Sequence, residues 1–209
     1  GSFAVIRRQS LQGDAISHAA LPGIALAFLL GGREPGWLIF GAGVAGWVAM
    51  LFVGGIVRRS RVPFDAALGG VLAVFFGLGL VLMTWMQRHV RSAAGNPLDR
   101  YLFGQVANMR DSDLHTILAF GLAALAVLAV LWKEMKLLSF DPDFAATMGF
   151  PIRRLDLVLT TMIVAAVVIG LQAVGVVLMT ALLIAPAAAA RQWTDRLGRL
   201  VVLAGVLDR

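Results

Sequence analysis

Residues 10–23 read Ser10-Leu11-Gln12-Gly13-Asp14-Ala15-Ile16-Ser17-His18-Ala19-Ala20-Leu21-Pro22-Gly23. The stretch opens an apolar run of helical length, yet it holds a carboxylate and an imidazole four residues apart. That spacing puts Asp14 and His18 on one helix face, one turn from each other. An ionisable group inside an apolar span is costly and ordinarily faces a bundle interior or an aqueous path. Two readings stay open. Carboxylate oxygen and neutral imidazole nitrogen together suit Mn(II), Zn(II) or Fe(II), and serve copper(I) poorly. Alternatively, Asp14 is a charge favoured by the dipole at a helix start, and His18 is a core histidine with its hydrogen bonds satisfied. A pair does not complete a metal site. Two copies packed about a two-fold axis would bring two Asp and two His to one ion.

The rest of the chain says what kind of molecule surrounds this face. Its 209 residues are 59% hydrophobic and 14% charged, with a mean hydropathy of +0.85. Soluble domains are closer to half apolar and a quarter charged, so the expected class is an all-α, polytopic membrane protein. The 23 glycines fit close helix packing in lipid. A net charge of +6 is no nucleic-acid signature here, because the basic residues stand in short clusters between apolar runs. Such clusters report orientation across a bilayer. With no cysteine, disulfide frameworks and thiolate metal sites are excluded.

Spans of about 20 apolar residues are expected at 11–30, 37–57, 66–86, 114–132, 155–174 and 175–190, with a further helix starting at 200–207. That makes about six to seven transmembrane helices. The first is expected to break at Pro22-Gly23 and the sixth at Pro186. In the second, Ala42 and Gly46 lie four apart and form a small-residue face for a neighbour. The connection 87–113 is the longest polar one, with a short helix expected near Tyr101. If Arg7-Arg8 faces the cytoplasm and spans alternate, that side holds Arg7, Arg8, Arg58, Arg59, Arg61, Lys133, Lys136, Arg153, Arg154, Arg191, Arg196 and Arg199. The outer side holds Arg33, Arg88, Arg91, Arg100 and Arg110. The excess favours this orientation.

Other chemistry is sparser. Asp111, Asp113 and His115 cluster at the mouth of the fourth span, as an acidic helix start or as an outer vestibule that attracts cations. His89 lies in a basic loop. The segment 139–154 carries Asp141-Pro142-Asp143 and then Gly149, the signals of a short helix with proline in its first turn and a glycine stop. Between two spans on the basic side, it reads as a docking element for a cytoplasmic partner or as a plain capped connector. Ser17 beside His18 is no nucleophile pair, because adjacent helical positions point apart. The chain has no G-x-x-x-x-G-K-[ST] phosphate loop, so it cannot itself hydrolyse ATP by that route.

Three runs in order carry a resemblance to a known family. They are G-S-F-A-V-I-R-R-Q-S-L-Q-G-D-A-I-S-H-A-A-L-P-G, F-D-P-D-F-A-A-T-M-G and V-G-V-V-L-M-T-A-L-L-I-A-P-A-A-A-A-R. The chain resembles the manganese/zinc (ABC-3) permeases of bacterial metal importers. The resemblance implies a type II, vitamin B12-transporter-like ABC importer fold and a multi-pass subunit of the bacterial inner membrane. It implies a second permease copy, cytoplasmic ATPase subunits and an extracytoplasmic metal-binding protein as partners, beside membrane lipids, and no permanently bound cofactor. It places Asp14 and His18 on the translocation path of a divalent metal ion, and makes Asp141, Pro142, Asp143 and Gly149 part of the segment coupling to the ATPase. The chain then reads as one permease domain, 1–209, with a helix expected to be missing before it and one or two after it. Three alternatives are weaker, among them a structural membrane scaffold, whose thermal stability metal would not change. A siderophore- or cobalamin-type permease would not need an ionic ligand pair, and an intramembrane metalloenzyme would need a third ligand and a general base.

Overall fold

A computed structural model describes residues 2–7, 11–31, 34–89, 111–140, 142–194 and 197–207. Among these residues every regular element is a helix. They are α1 (Ser2–Ile6), α2 (Gln12–Gly31), α3 (Pro35–Arg59), α4 (Phe64–His89), α5 (Asp111–Val130), α6 (Trp132–Phe140), α7 (Pro142–Thr147), α8 (Ile152–Trp193) and α9 (Leu197–Leu207). Five described stretches are long and apolar enough to cross a bilayer: α2, α3, α4 and the two halves of α8. Shorter apolar stretches lie at Gly121–Val130 and Leu197–Val206.

The helix ends follow local chemistry. Pro35 sits in the first turn of α3, where its missing N–H costs nothing. Arg58 and Arg59 close the same helix, where cations meet its negative end. α7 starts at Pro142, and Gly149 past its end takes φ 80° while the Phe150 N–H reaches the Ala145 carbonyl at 3.2 Å. That is the bond of a Schellman stop, and it bears out the short helix expected in this segment. Asp141 lies outside the described residues, as does the helix expected near Tyr101.

Two expectations are corrected. Neither Pro22 nor Pro186 breaks its helix: Pro22 lies inside α2, and Pro186 lies inside the part of α8 that follows its non-helical Gly175. Proline removes one ladder donor, and in a packed membrane bundle neighbouring helices absorb that loss.

The core gathers around α2. In its spanning window 72% of residues are buried, against 28% in those of α3 and α4. Ile16, Ala20, Leu21, Ile24 and Ala25 all face the main core. The small-residue face of α3 does meet this helix, with a methyl placed on Gly46 lying 3.1 Å from Ile16. The tighter approach falls one residue earlier, at Gly41 and Ala45 against Gly23.

α8 is the other organising element. At 42 residues it would reach roughly 63 Å if straight, about twice the bilayer core. It does not run straight. Gly175 takes φ 78°, ψ 174°, a conformation open essentially to glycine alone. Gly170 and Met179, on either side, are in contact. Near the two ends, Asp156 and Arg191 both reach α1. The two apolar runs read from the sequence as meeting at Gly175 are therefore the arms of a hairpin with no loop at its tip.

Candidate metal-binding face

Asp14 lies in the first turn of α2 and His18 one turn further on. His18 Nε2 stands 3.4 Å from Asp14 Oδ1, with both side chains partly exposed. A good hydrogen bond of this type is nearer 2.9 Å. Two such donors bound at 2.0–2.2 Å to one ion at a tetrahedral angle would lie roughly 3.4 Å apart. The observed separation is too long for a close hydrogen bond and is also compatible with two groups on one ion.

The ring is held from the side. His18 stands edge-on to Phe76 of α4, with centroids 4.8 Å apart and planes at 75°. Its Nδ1 is buried and has no hydrogen-bond partner among the described residues. A structural core histidine and a metal-ligating one both normally have this nitrogen bonded, so the orphaned Nδ1 does not choose between the two readings. The backbone next to it is also short of a donor, because Pro22, four residues on, has no N–H to offer the His18 carbonyl. Ser17 is fully buried and spends its hydroxyl on the Gly13 carbonyl at 2.8 Å, which removes it from any chemistry with His18.

Among the described residues no group of three His, Cys, Asp or Glu side chains gathers as a metal site. Asp14 and His18 are thus a pair, with no third such ligand beside them among the described residues. Asp111, Asp113 and His115 fall in the opening turns of α5, and their side chains lie outside the described residues. His89 is at the far end of α4, where its ring stacks on Trp85 and its Nδ1 lies 3.0 Å from the Trp85 carbonyl. It has no part in the Asp14/His18 face. The side chains of Pro142 and Asp143 likewise lie outside the described residues.

Sequence reading missed a second polar cluster, at the end that the Lys/Arg excess assigns to the cytoplasm. Arg7 Nη1 bonds Asp156 Oδ1 at 2.8 Å. Asp156, Gln12, Arg58 and Thr160 line a cavity of about 70 Å³ between α2, α3 and α8. Gln12 is buried and its Oε1 has no partner among the described residues. Phe76 was missed too. Partners so distant in sequence are fixed by how helices dock, and no local signal marks them.

Comparison with known proteins adds an independent line. A model of the ABC 3 transport family matches residues 1–208. The chain is 45% identical over 207 residues to the zinc transport system membrane protein TroC of Treponema pallidum, covering 99% of this chain and 69% of that one. It is 44% identical to the manganese transport system membrane protein MntC of Bacillus subtilis over 99% of its own length, which is 47% of that protein. In structure it is similar to PsaBC from Streptococcus pneumoniae, solved in complex with a Fab, with a TM-score of 0.82 and 32% identity. That match covers the whole of this chain and 72% of the other.

Proposed function

The chain belongs to the ABC 3 transport family, and from that membership we propose that it is the permease subunit of an ATP-driven importer passing Mn(II), Zn(II) or Fe(II) along the Asp14/His18 face of α2. It is a multi-pass protein of the bacterial inner membrane, with the type II ABC importer fold, and a transport subunit rather than an enzyme. The single observation that carries the metal path is the 3.4 Å spacing of His18 Nε2 and Asp14 Oδ1 on the central helix. Its oxygen and nitrogen donors match the zinc and manganese in the relatives' names.

A sparse site suits an importer, which must release what it binds. Two ligands from one chain hold an ion loosely; a second copy supplying the same pair would hold it in transit between two openings. Alternating access around such a site needs the helices bearing it to move with the cytoplasmic side. The segment 139–154 is the part of this chain we assign to ATPase contact, through Asp141, Pro142, Asp143 and the Gly149 stop. A solute-binding protein would deliver the ion from outside.

The test is uptake of radioactive manganese or zinc by the complete importer carrying Asp14→Asn and His18→Gln. Each change is expected to lower uptake to background while the complex still assembles. Normal uptake by the double variant would sink the metal-path role.

A further inference from the structure

We propose that the Arg7–Asp156 ion pair is a switchable link by which the cytoplasmic segment 139–154 moves α2, with Arg58 as the alternative partner of the Asp156 carboxylate. The inference rests on reading α2 as the metal path and 139–154 as the ATPase contact.

α1 is a junction out of proportion to its five residues. Phe3 is buried and meets Trp132 of α6 edge-on at 5.9 Å. The Val5 carbonyl accepts a bond from Arg191 Nη1 at 3.3 Å. Arg7, just past its end, takes Asp156 at 2.8 Å. Five positions after Arg7 the metal-path helix begins, with Gln12. On the other side, Asp156 sits in the second turn of α8, directly after the segment that holds α7. α8 also packs directly on α2, as Leu183 does against Gly13. To that apolar contact the Arg7–Asp156 pair adds a polar connection from the start of α8 to the residues leading into the first turn of α2, which holds Asp14.

The pair is built to exchange rather than to lock. Both partners are partly exposed, at 17% for Arg7 and 38% for Asp156, and exposed ion pairs add little net stability. Across the 70 Å³ cavity that Asp156 lines stand Arg58 and the buried Gln12. Arg58 makes no ion pair among the described residues, and the Gln12 acceptor is orphaned. A guanidinium carries five donors in a fixed fork, enough for the Asp156 carboxylate and Gln12 Oε1 together. The same residues thus have two arrangements: Asp156 on Arg7 with Gln12 unpaired, and Asp156 on Arg58 with Gln12 satisfied. Two discrete arrangements that both sites bias are what transmission between them requires.

The experiment uses the complete importer in liposomes and reads manganese uptake and ATP hydrolysis together. Arg7→Glu and Asp156→Arg are each expected to lower ions moved per ATP by about tenfold, within the ordinary range of coupling between sites. The double charge swap is expected to recover most of that ratio. Arg58→Gln, which leaves the Arg7–Asp156 pair in place but removes the second arrangement, is expected to lower the ratio as well. An unchanged ratio in the single reversals, or a swap no better than they are, overturns the proposal. Should a reversal fail to assemble, Asp156→Asn keeps the shape and removes the charge; a normal ratio there overturns it equally. Loss of coupling in the Arg7 variants beside normal uptake by Asp14→Asn/His18→Gln would instead fault the metal-path reading alone.

Discussion

Gly23 of α2 and Gly41 of α3 meet backbone to backbone. A methyl on Gly23 would overlap the Gly41 carbonyl oxygen and lie 2.5 Å from Ala45 Cβ, and one on Gly41 would lie 2.5 Å from Ala27 Cβ and from the Gly23 carbonyl oxygen. Helices in lipid gain from such close approach because dispersion and backbone contact replace the missing hydrophobic drive. Gly23→Ala or Gly41→Ala should destabilise the permease by about 1–3 kcal/mol, the usual cost of overpacking. Gly43, with nothing within 4 Å of its added methyl, should tolerate alanine or gain up to about 1 kcal/mol in helix propensity. Unfolding of the detergent-solubilised variants checks this, and equal effects at the two sites would refute it.

The tip of the α8 hairpin gives a sharper contrast between glycines. Gly175→Ala forces a side chain into φ 78°, ψ 174° and should cost about 1–3 kcal/mol. Gly149→Asn should cost little, because asparagine is accepted at the left-handed stop after a helix. Thermal stability of the two variants, measured side by side, separates them.

Phe76 bears on His18 without offering a ligand. Removing its ring by Phe76→Leu leaves Asp14 and His18 in place but frees the imidazole to turn. Edge-to-face ring contacts contribute about 0.5–1.5 kcal/mol, so the concentration of metal at half-maximal uptake should rise between about twofold and tenfold. The maximal rate should change less. An unaltered half-saturation concentration would show that Phe76 does not orient the ring.

Pro22 makes an opposite demand on stability and transport. Pro22→Ala restores an N–H four residues after His18, which the His18 carbonyl then accepts. The helix should be as stable or more so, while uptake falls if the released carbonyl serves the ion. Steady transport together with raised stability would mean the proline matters only for packing against Gly79, whose added methyl would lie 3.1 Å from its ring.

Five of the six expected spans were legible because length and hydropathy alone mark them. The fourth, 114–132, coincides with α5, where only Gly121–Val130 counts as an apolar stretch among the described residues. The i, i+4 spacing of Asp14 and His18 survived unchanged into α2. The short helix at Pro142 was legible from its proline start and glycine stop. The prolines at 22 and 186 were misread because their penalty depends on what surrounds the freed carbonyl, which a sequence does not display. Gly175 marked the boundary of two runs, but only contact between Gly170 and Met179 and the shared docking of Asp156 and Arg191 reveal a reversal. Phe76 on His18, Arg7 on Asp156 and the orphaned Gln12 all depend on helix register, which emerges only when whole faces pack.

The contacts of α1 also set a schedule for biogenesis. The Val5 carbonyl and Arg191 are 186 residues apart in the chain. A ribosome adding about 5–20 residues per second needs roughly ten to forty seconds to make the later partner after the earlier one. Phe3 meanwhile waits for Trp132 and Arg7 for Asp156, so the segment that leads into α2 is synthesised early and fastened late, one contact at a time.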